Sequence, residues 1–303
     1  MEFIKPDIKF DFVGKMKLAF GISLAMMVIS IASVIWHGGL NYGIDFAGGT
    51  LVQLKFQKAT STEQLRNAFR PIGLQNVIIQ PFGDNEVVVR IGEVDLGGKE
   101  LSAIIAESLQ AALGPGAFEV RRVEVVGPKV GKDLTRKAIL AIVFSWIGML
   151  IYIAWRFEFR YAVGGILALV HDTTITIGAM SLLNKEFDLT IVAALLTIIG
   201  YSINDTIVVF DRIRENARKN IKQPLAEVIN ESINQTLSRT ILMSFTVLLV
   251  LLALFFFGGA VIHDFSFALL VGVIVGTYSS IFVASPVVLV WEHYRPSRTK
   301  RKK

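Results

Sequence analysis

Apolar residues in this 303-residue chain gather in six long runs, at 18–36, 138–155, 162–183, 189–210, 241–257 and 265–290. A helix needs about 20 predominantly apolar residues to cross the hydrocarbon of a bilayer, so each run predicts a transmembrane helix. Between the first two runs, residues 37–134 change period. GTLVQLKF (49–56) alternates as a strand, and STEQLRNAFRPIG opens on an N-cap at Ser61 and continues at helical spacing. NVIIQPF and EVVVRIG, on either side of GDN, read as a hairpin. KELSAIIAESLQAAL sets Leu101, Ile104, Ile105, Leu109 and Leu113 along one helical face, and AFEVRRVEVVG closes as a strand. The order β-α-β-β-α-β is that of a ferredoxin-like split unit. The predicted fold is a mainly α membrane protein with six transmembrane helices and a small α+β ferredoxin-like domain inserted after the first.

Composition agrees: 53% of residues are hydrophobic and 18% charged, oilier than a soluble domain. Lys5, Lys9, Lys15 and Lys17 give the first run the look of a signal peptide, but no small-residue cleavage site closes it, so a retained anchor is expected. Positive charge in short loops sets orientation. The N-terminal tail (1–17), the loop RFEFR with Arg156 and Arg160, and the tail 291–303 are basic. So is the segment 211–239, with five basic residues between Arg212 and Lys222. NKEFD after the third run and GGAVIHD after the fifth have little positive charge. Six helices put every basic loop on one side, which places both termini in the cytoplasm and residues 37–134 on the non-cytoplasmic side, the periplasmic domain of the reading below. The net charge of +6 lies at that membrane face and in the tail, where attraction to anionic lipid accounts for it without nucleic acid. Ribosomal or other acidic contacts are the alternative for the tail.

The absence of cysteine excludes disulfides, thiol catalysis and thiolate metal sites. GPKVGKD (127–133) comes close to a phosphate loop. It has three residues between its glycines where four are required, and Asp133 stands in place of the Ser or Thr that would hold magnesium. No Gly-rich dinucleotide turn appears. The insert shows no paired acid and base, no metal-ligand cluster and no nucleophile beside a histidine. No enzymatic activity and no cofactor are expected, and the insert's expected role is contact and movement.

The candidate chemistry lies inside the apolar runs. Thr197, Tyr201, Asn204 and Asp205 follow i, i+4, i+7, i+8 spacing and are expected to share one helical face. At 1.5 Å per residue Asp205 lies roughly 8 Å inside a cytoplasmic end at Phe210. A carboxylate there costs on the order of 2 to 3 kcal/mol on insertion scales. The structural reading is a polar clamp between helices. The functional reading is a protonatable carrier, since a low-dielectric surrounding disfavours the charged form of an acid. Arg239, where the fifth helix begins, is the expected partner, its long stem reaching to the depth of Asp205; snorkelling to the headgroups is the alternative. His171 and Asp172, near the middle of the third helix beside Thr173, Thr174 and Thr176, read equally as a proton relay or a helix-packing hydrogen bond. Ala268, Gly272, Gly276, Ser280 and Ala284 form a small-residue stripe suited to close packing or sliding. PLAEVINESINQTLS carries Leu225, Val228, Ile229 and Ile233 on one face and reads as a helix lying on the membrane or against a partner.

YGIDFAGGT (42–50), VGPKVG (126–131), LVHD (169–172), GYSINDTIVVFDRIREN (200–216), INQTLSRT (233–240) and GTYSSIFVASP (276–286) occur in order along nearly the whole chain. Together they resemble the signatures of the SecF members of the SecD/SecF protein-export family, of the resistance-nodulation-division type. The resemblance implies a six-helix half-unit in the bacterial inner membrane, pairing with SecD as a separate polypeptide. It implies the SecYEG channel, YidC and the exported polypeptide as further partners. Carried over by motif, Asp205 is the proton-responsive acid and Arg239 its mobile partner, and proton entry drives the periplasmic domains to draw an emerging polypeptide outward. Gly43, Asp45, Phe46, Gly48 and Gly49 of GIDFAGG are expected to be structural, the glycines suiting sharp turns and Asp45 capping one.

Two other readings stand beside proton-coupled export: a proton-driven exporter of lipids or small molecules, for which the insert looks small, and a scaffold holding other Sec components with its acids only structural. Sodium couples through the same carboxylates, and the residues do not choose between the two ions.

Overall fold

The computed structural model describes residues 9–58, 60–74, 77–81, 85–92 and 101–294. Among the described residues, six helices are long and apolar enough to cross a membrane. These are α1 (Met16–Trp36), α5 (Pro128–Arg156), α6 (Phe159–Leu182), α7 (Leu189–Lys219), α8 (Leu225–Phe257) and the pair α9 (Gly259–Ser279) and α10 (Ser285–Tyr294). A π-helical turn, Ser280–Ala284, joins the last two. Pro286, on the C-terminal side of that turn, has no N–H to donate and crowds the carbonyl four residues back, which favours a widened turn at this point. Between α1 and α5 come the single turn α2 (Ile44–Ala47), β1 (Gly49–Phe56), α3 (Thr62–Phe69), β2 (Ile78–Pro81), β3 (Glu86–Ile91), α4 (Leu101–Leu113) and β4 (Phe118–Val126). The chain divides into two units: 1–41 with 140–185 and 190–303, and 42–139 with 186–189.

In the first unit, close helix packing is built on small residues. A Cβ on Gly178 of α6 would lie 2.1 Å from the Ser30 side chain of α1, and one turn on, the Ser33 and Ser181 hydroxyls meet at 2.9 Å. Gly272 and Gly276 of α9 seat against Ile198 and Ser202 of α7. Lipid tails are as apolar as any side chain, so helices associate here through van der Waals fit and hydrogen bonds rather than through exclusion of water.

One expectation is corrected at the cytoplasmic end. The stretch 211–239 is not a separate helix lying on a membrane: α7 runs unbroken to Lys219, and α8 begins at Leu225 and continues directly into the fifth span. Ile229, Ile233 and Leu237 are buried in one cluster with Val209, Phe210 and Ile213 of α7. Asn216 Nδ2 donates to Ser232 Oγ and to Gln235 Oε1, each at 2.9 Å. An apolar stripe at helical spacing needs an apolar cover, and the spacing does not say whether lipid, a partner or the chain's own next helix provides it. On the same helix, Asn230 Oδ1 accepts from the Phe12 N–H at 2.8 Å and Asn234 Oδ1 from the Phe10 N–H at 2.8 Å, strapping the residues before α1 onto α8.

The second unit is an antiparallel sheet in the order β2-β3-β1-β4, the ferredoxin-like arrangement. Val52, Leu54 and Phe56 of β1 and Val87, Val89 and Ile91 of β3 share the buried face, covered by Leu65 and Phe69 of α3 and Ile105 and Leu109 of α4. The tip of the predicted hairpin at 83–84 and the basic tail beyond 294 lie outside the described residues. Helix α3 begins with a capping box in which Gln64 N–H donates to Ser61 Oγ and Ser61 N–H to Gln64 Oε1. Ser61→Ala should therefore cost this unit about 1 kcal/mol, read as faster amide exchange in α3 of the intact chain and unchanged exchange in α6.

The GIDFAGG segment makes the turn into β1. Gly49 sits at φ +121°, where a Cβ would approach the Ile91 carbonyl oxygen to 2.5 Å, so only glycine fits. Asp45 Oδ2 accepts from the backbone N–H of Leu189, the first residue of α7, at 3.0 Å. The rings of Tyr42, Phe46 and Phe187 cluster, Gly43 N–H donates to the Phe187 carbonyl at 2.9 Å, and the buried Arg90 pairs with Glu186.

Candidate functional site

Helix α7 turns Ile198, Ile199, Ser202, Ile203, Asp205 and Thr206 into the first unit. The predicted four-residue face is split. Asp205 is buried, Tyr201 is half-buried, and Thr197 and Asn204 are exposed. Positions 204 and 205 are neighbours in sequence and so lie about 100° apart around a helix of 3.6 residues per turn, wide enough to send one inward and one outward. Asn204 and Tyr201 line an open groove whose other wall is Ser145, Gly148, Met149 and Tyr152 of α5. Tyr201 donates to Ser244 Oγ of α8 at 3.2 Å, and Ser244 meets Thr277 Oγ1 of α9 at 2.6 Å.

Two hydroxyls hold Asp205. Thr240 of α8 donates to Oδ1 at 2.6 Å and Ser280 of the π turn donates to Oδ2 at 2.6 Å. Arg239, one residue before Thr240, is exposed and makes no hydrogen bond or ion pair among the described residues. The expected contact between guanidinium and carboxylate is absent from this arrangement, and Thr240 takes its place. A hydrogen bond to a charged group is worth about 1.5–3 kcal/mol, and an acid at the centre of a spanning helix costs about 2.5–3.5 kcal/mol on insertion scales. Two hydroxyls therefore offset the burial of this carboxylate to within the same few kcal/mol.

A second buried acid lies beside the first. Asp172 of α6 is completely inaccessible. His171 Nδ1 lies 2.9 Å from its Oδ1, and the hydroxyls of Ser202 and Ser279 donate to Oδ2 at 2.6 and 2.8 Å. The His171 ring stacks on Tyr278, and its Nε2 is buried without a partner among the described residues. The threonines near Asp172 are turned away from its carboxyl, Thr173 and Thr176 donating to backbone carbonyls four residues back.

Four consecutive residues of α9 and its π turn tie this network together. Thr277 bonds Ser244 of α8, Tyr278 donates to the Ala19 carbonyl of α1 at 2.7 Å, Ser279 reaches Asp172 of α6, and Ser280 reaches Asp205 of α7. Sequence reasoning missed Thr240, Ser202 and Ser279 as acid partners and read Ser280 as one of five small packing residues. The available signal was the run TYSS itself, four polar side chains in the middle of an apolar helix.

Known proteins with this sequence pattern and this fold point one way. The family described as protein export membrane protein SecD/SecF, C-terminal, matches residues 105–294, and the SecD/SecF GG motif matches residues 33–60. The protein translocase subunit SecF of Magnetococcus marinus is 50% identical over 93% of this chain and 92% of its own length. That of Calditerrivibrio nitroreducens is 50% identical over 97% of this chain and 98% of its own length. Among solved structures, SecDF of Thermus thermophilus, a translocon-associated membrane protein, superposes with a TM-score of 0.86 at 40% identity. The match covers 96% of this chain and 40% of that one. SecDF in a super-membrane-facing form gives a TM-score of 0.72 at 39% identity, again over 40% of its length.

Proposed function

The chain belongs to the SecD/SecF family of protein-export membrane proteins, as a SecF-type translocase subunit, and we propose that it uses the proton motive force to promote export of polypeptides through the Sec channel. In this reading it lies in the bacterial inner membrane with both termini in the cytoplasm and residues 37–134 in the periplasm. It pairs with SecD as a separate chain and works beside SecYEG and YidC, with anionic lipid at its basic face. Asp205 is the acid that takes up and releases the coupling ion, and Arg239 is the cation that approaches it in the alternate state. Tyr201, Asn204, His171 and Asp172 provide the polar surroundings of the path.

The observation that carries this reading is a carboxyl group buried inside a spanning helix and held by two neutral hydroxyls rather than by a fixed cation. A permanent ion pair would lock its charge. Hydroxyls donate to a carboxylate and accept from a carboxylic acid alike, so the proton is free to come and go. One charge crossing 100 mV carries about 2.3 kcal/mol, which biases a two-state helix arrangement by more than tenfold.

The test is export into vesicles holding the chain with SecD and SecYEG, under an imposed gradient of one ion at a time. A proton gradient should accelerate export while an equal sodium gradient leaves it unchanged. Acceleration by sodium alone would replace the ion, and a complex that assembles yet ignores both gradients would leave a scaffold.

A further inference from the structure

Ser279 and Ser280 are adjacent, and each has a choice of two acceptors. Ser280 Oγ lies 2.6 Å from Asp205 Oδ2 and 3.0 Å from the carbonyl of Thr277 on its own helix. Ser279 Oγ lies 2.8 Å from Asp172 Oδ2 and 3.1 Å from the carbonyl of Gly276. A hydroxyl has one proton to donate and lone pairs to accept. Beside an ionised carboxylate that proton goes to the acid. Beside a protonated acid the serine accepts the acid's O–H and turns its own proton to the carbonyl behind it. Either way every polar atom keeps a partner, which matters where an unmade bond costs the full desolvation of the group.

The backbone is built for such a change. The pair stands at the start of the π turn, and the Ser280 carbonyl is taken by the Ser285 hydroxyl at 2.9 Å. π turns inside α-helices are frequent at functional positions. The titratable and charged groups around the two acids are Tyr201 on α7, Arg239 on α8, Tyr278 on α9, Tyr152 on α5 and His171 on α6. None of these contacts Asp205 and Asp172 together. The consecutive serines do.

We propose that Ser279 and Ser280 are positioning residues for ion coupling, reorienting their hydroxyls with the protonation of Asp172 and Asp205 so that one π turn keeps the two acids in register. The proposal rests on the reading of Asp205 as the acid that titrates. The protons that Asp205 and Asp172 take up come from and return to solvent, so the only covalent change is the O–H bond each acid makes and breaks; the serines only exchange donor and acceptor roles.

Infrared difference spectroscopy of the intact chain with SecD in lipid bilayers, across a pH step, tests it. The carbonyl stretch of protonated Asp205 is the band that Asp205→Asn removes. Ser280→Ala should displace that band, and Ser280→Thr, which keeps the hydroxyl, should return it. Asp172→Asn should also displace it, and the displacement should disappear in a Ser279→Ala background, where the link to Asp172 is cut. An Asp205 band indifferent to Ser280→Ala, or an effect of Asp172→Asn that survives Ser279→Ala, would overturn the proposal while leaving Asp205 as the titrating acid. Absence of any protonated Asp205 band at every pH would overturn the functional reading and this inference together.

Discussion

Asp205→Asn should abolish the acceleration of export by a proton gradient while the chain still assembles with SecD. The substitution is nearly isosteric, and the site can absorb it. The Asn carbonyl accepts from Thr240 where Oδ1 now does at 2.6 Å, and the new NH2 group faces Ser280 Oγ. That hydroxyl can accept from it and donate to the Thr277 carbonyl at 3.0 Å. The fold should therefore lose at most about 1 kcal/mol, the net worth of one ordinary hydrogen bond. What is lost completely is the ability to change charge. Export rates with and without the gradient, measured beside co-purification with SecD, separate the two effects. A full gradient response from an Asp205→Asn complex would remove this acid from the mechanism. Loss of assembly would instead mark it as a clamp between α7, α8 and the π turn.

Gly178→Ala should destabilise the membrane unit by about 1–3 kcal/mol, the usual cost of forcing an extra carbon into a packed interior. The added Cβ would stand 2.1 Å from Ser30 Cβ and 2.5 Å from Ser30 Cα. Both atoms are placed by the backbone of α1, so no rotamer change relieves these contacts and α1 and α6 must separate. Separation would also stretch the Ser33–Ser181 hydrogen bond of 2.9 Å one turn away. Ser30→Gly in the same chain removes the nearer clash and should recover part of the loss, a coupling that a double-mutant cycle of thermal unfolding in detergent reads directly. Additive effects of the two substitutions would show that the helices do not meet at this crossing.

The two kinds of result draw on different parts of the chain's information. The six spans and the β-α-β-β-α-β insert were legible because hydropathy and strand alternation are local: each residue's transfer into lipid, or its place on a pleated face, adds along the chain without reference to distant segments. The capping box at Ser61 was legible for the same reason, since Ser61 and Gln64 are three residues apart. The amphipathic stripe at Leu225, Val228, Ile229 and Ile233 was legible as a stripe. Its cover was not, because α7's extension to Lys219 supplies it from another helix.

The site divides in the same way. That Asp172 and Asp205 are acids inside apolar helices is written in the sequence, and so is the cost of placing them there. Which groups meet that cost was decided only by folding. Thr240, Ser280 and Ser279 lie 35, 75 and 107 residues from the carboxylates they serve. A hydroxyl becomes an acid's partner only when helix crossings of fixed geometry bring it within about 3 Å. Those crossings depend on close seats such as Gly276 against Ser202 and Gly178 against Ser30, whose meaning no single segment carries. Residue type and period determined what must be buried; the packing of six helices determined what it is buried against.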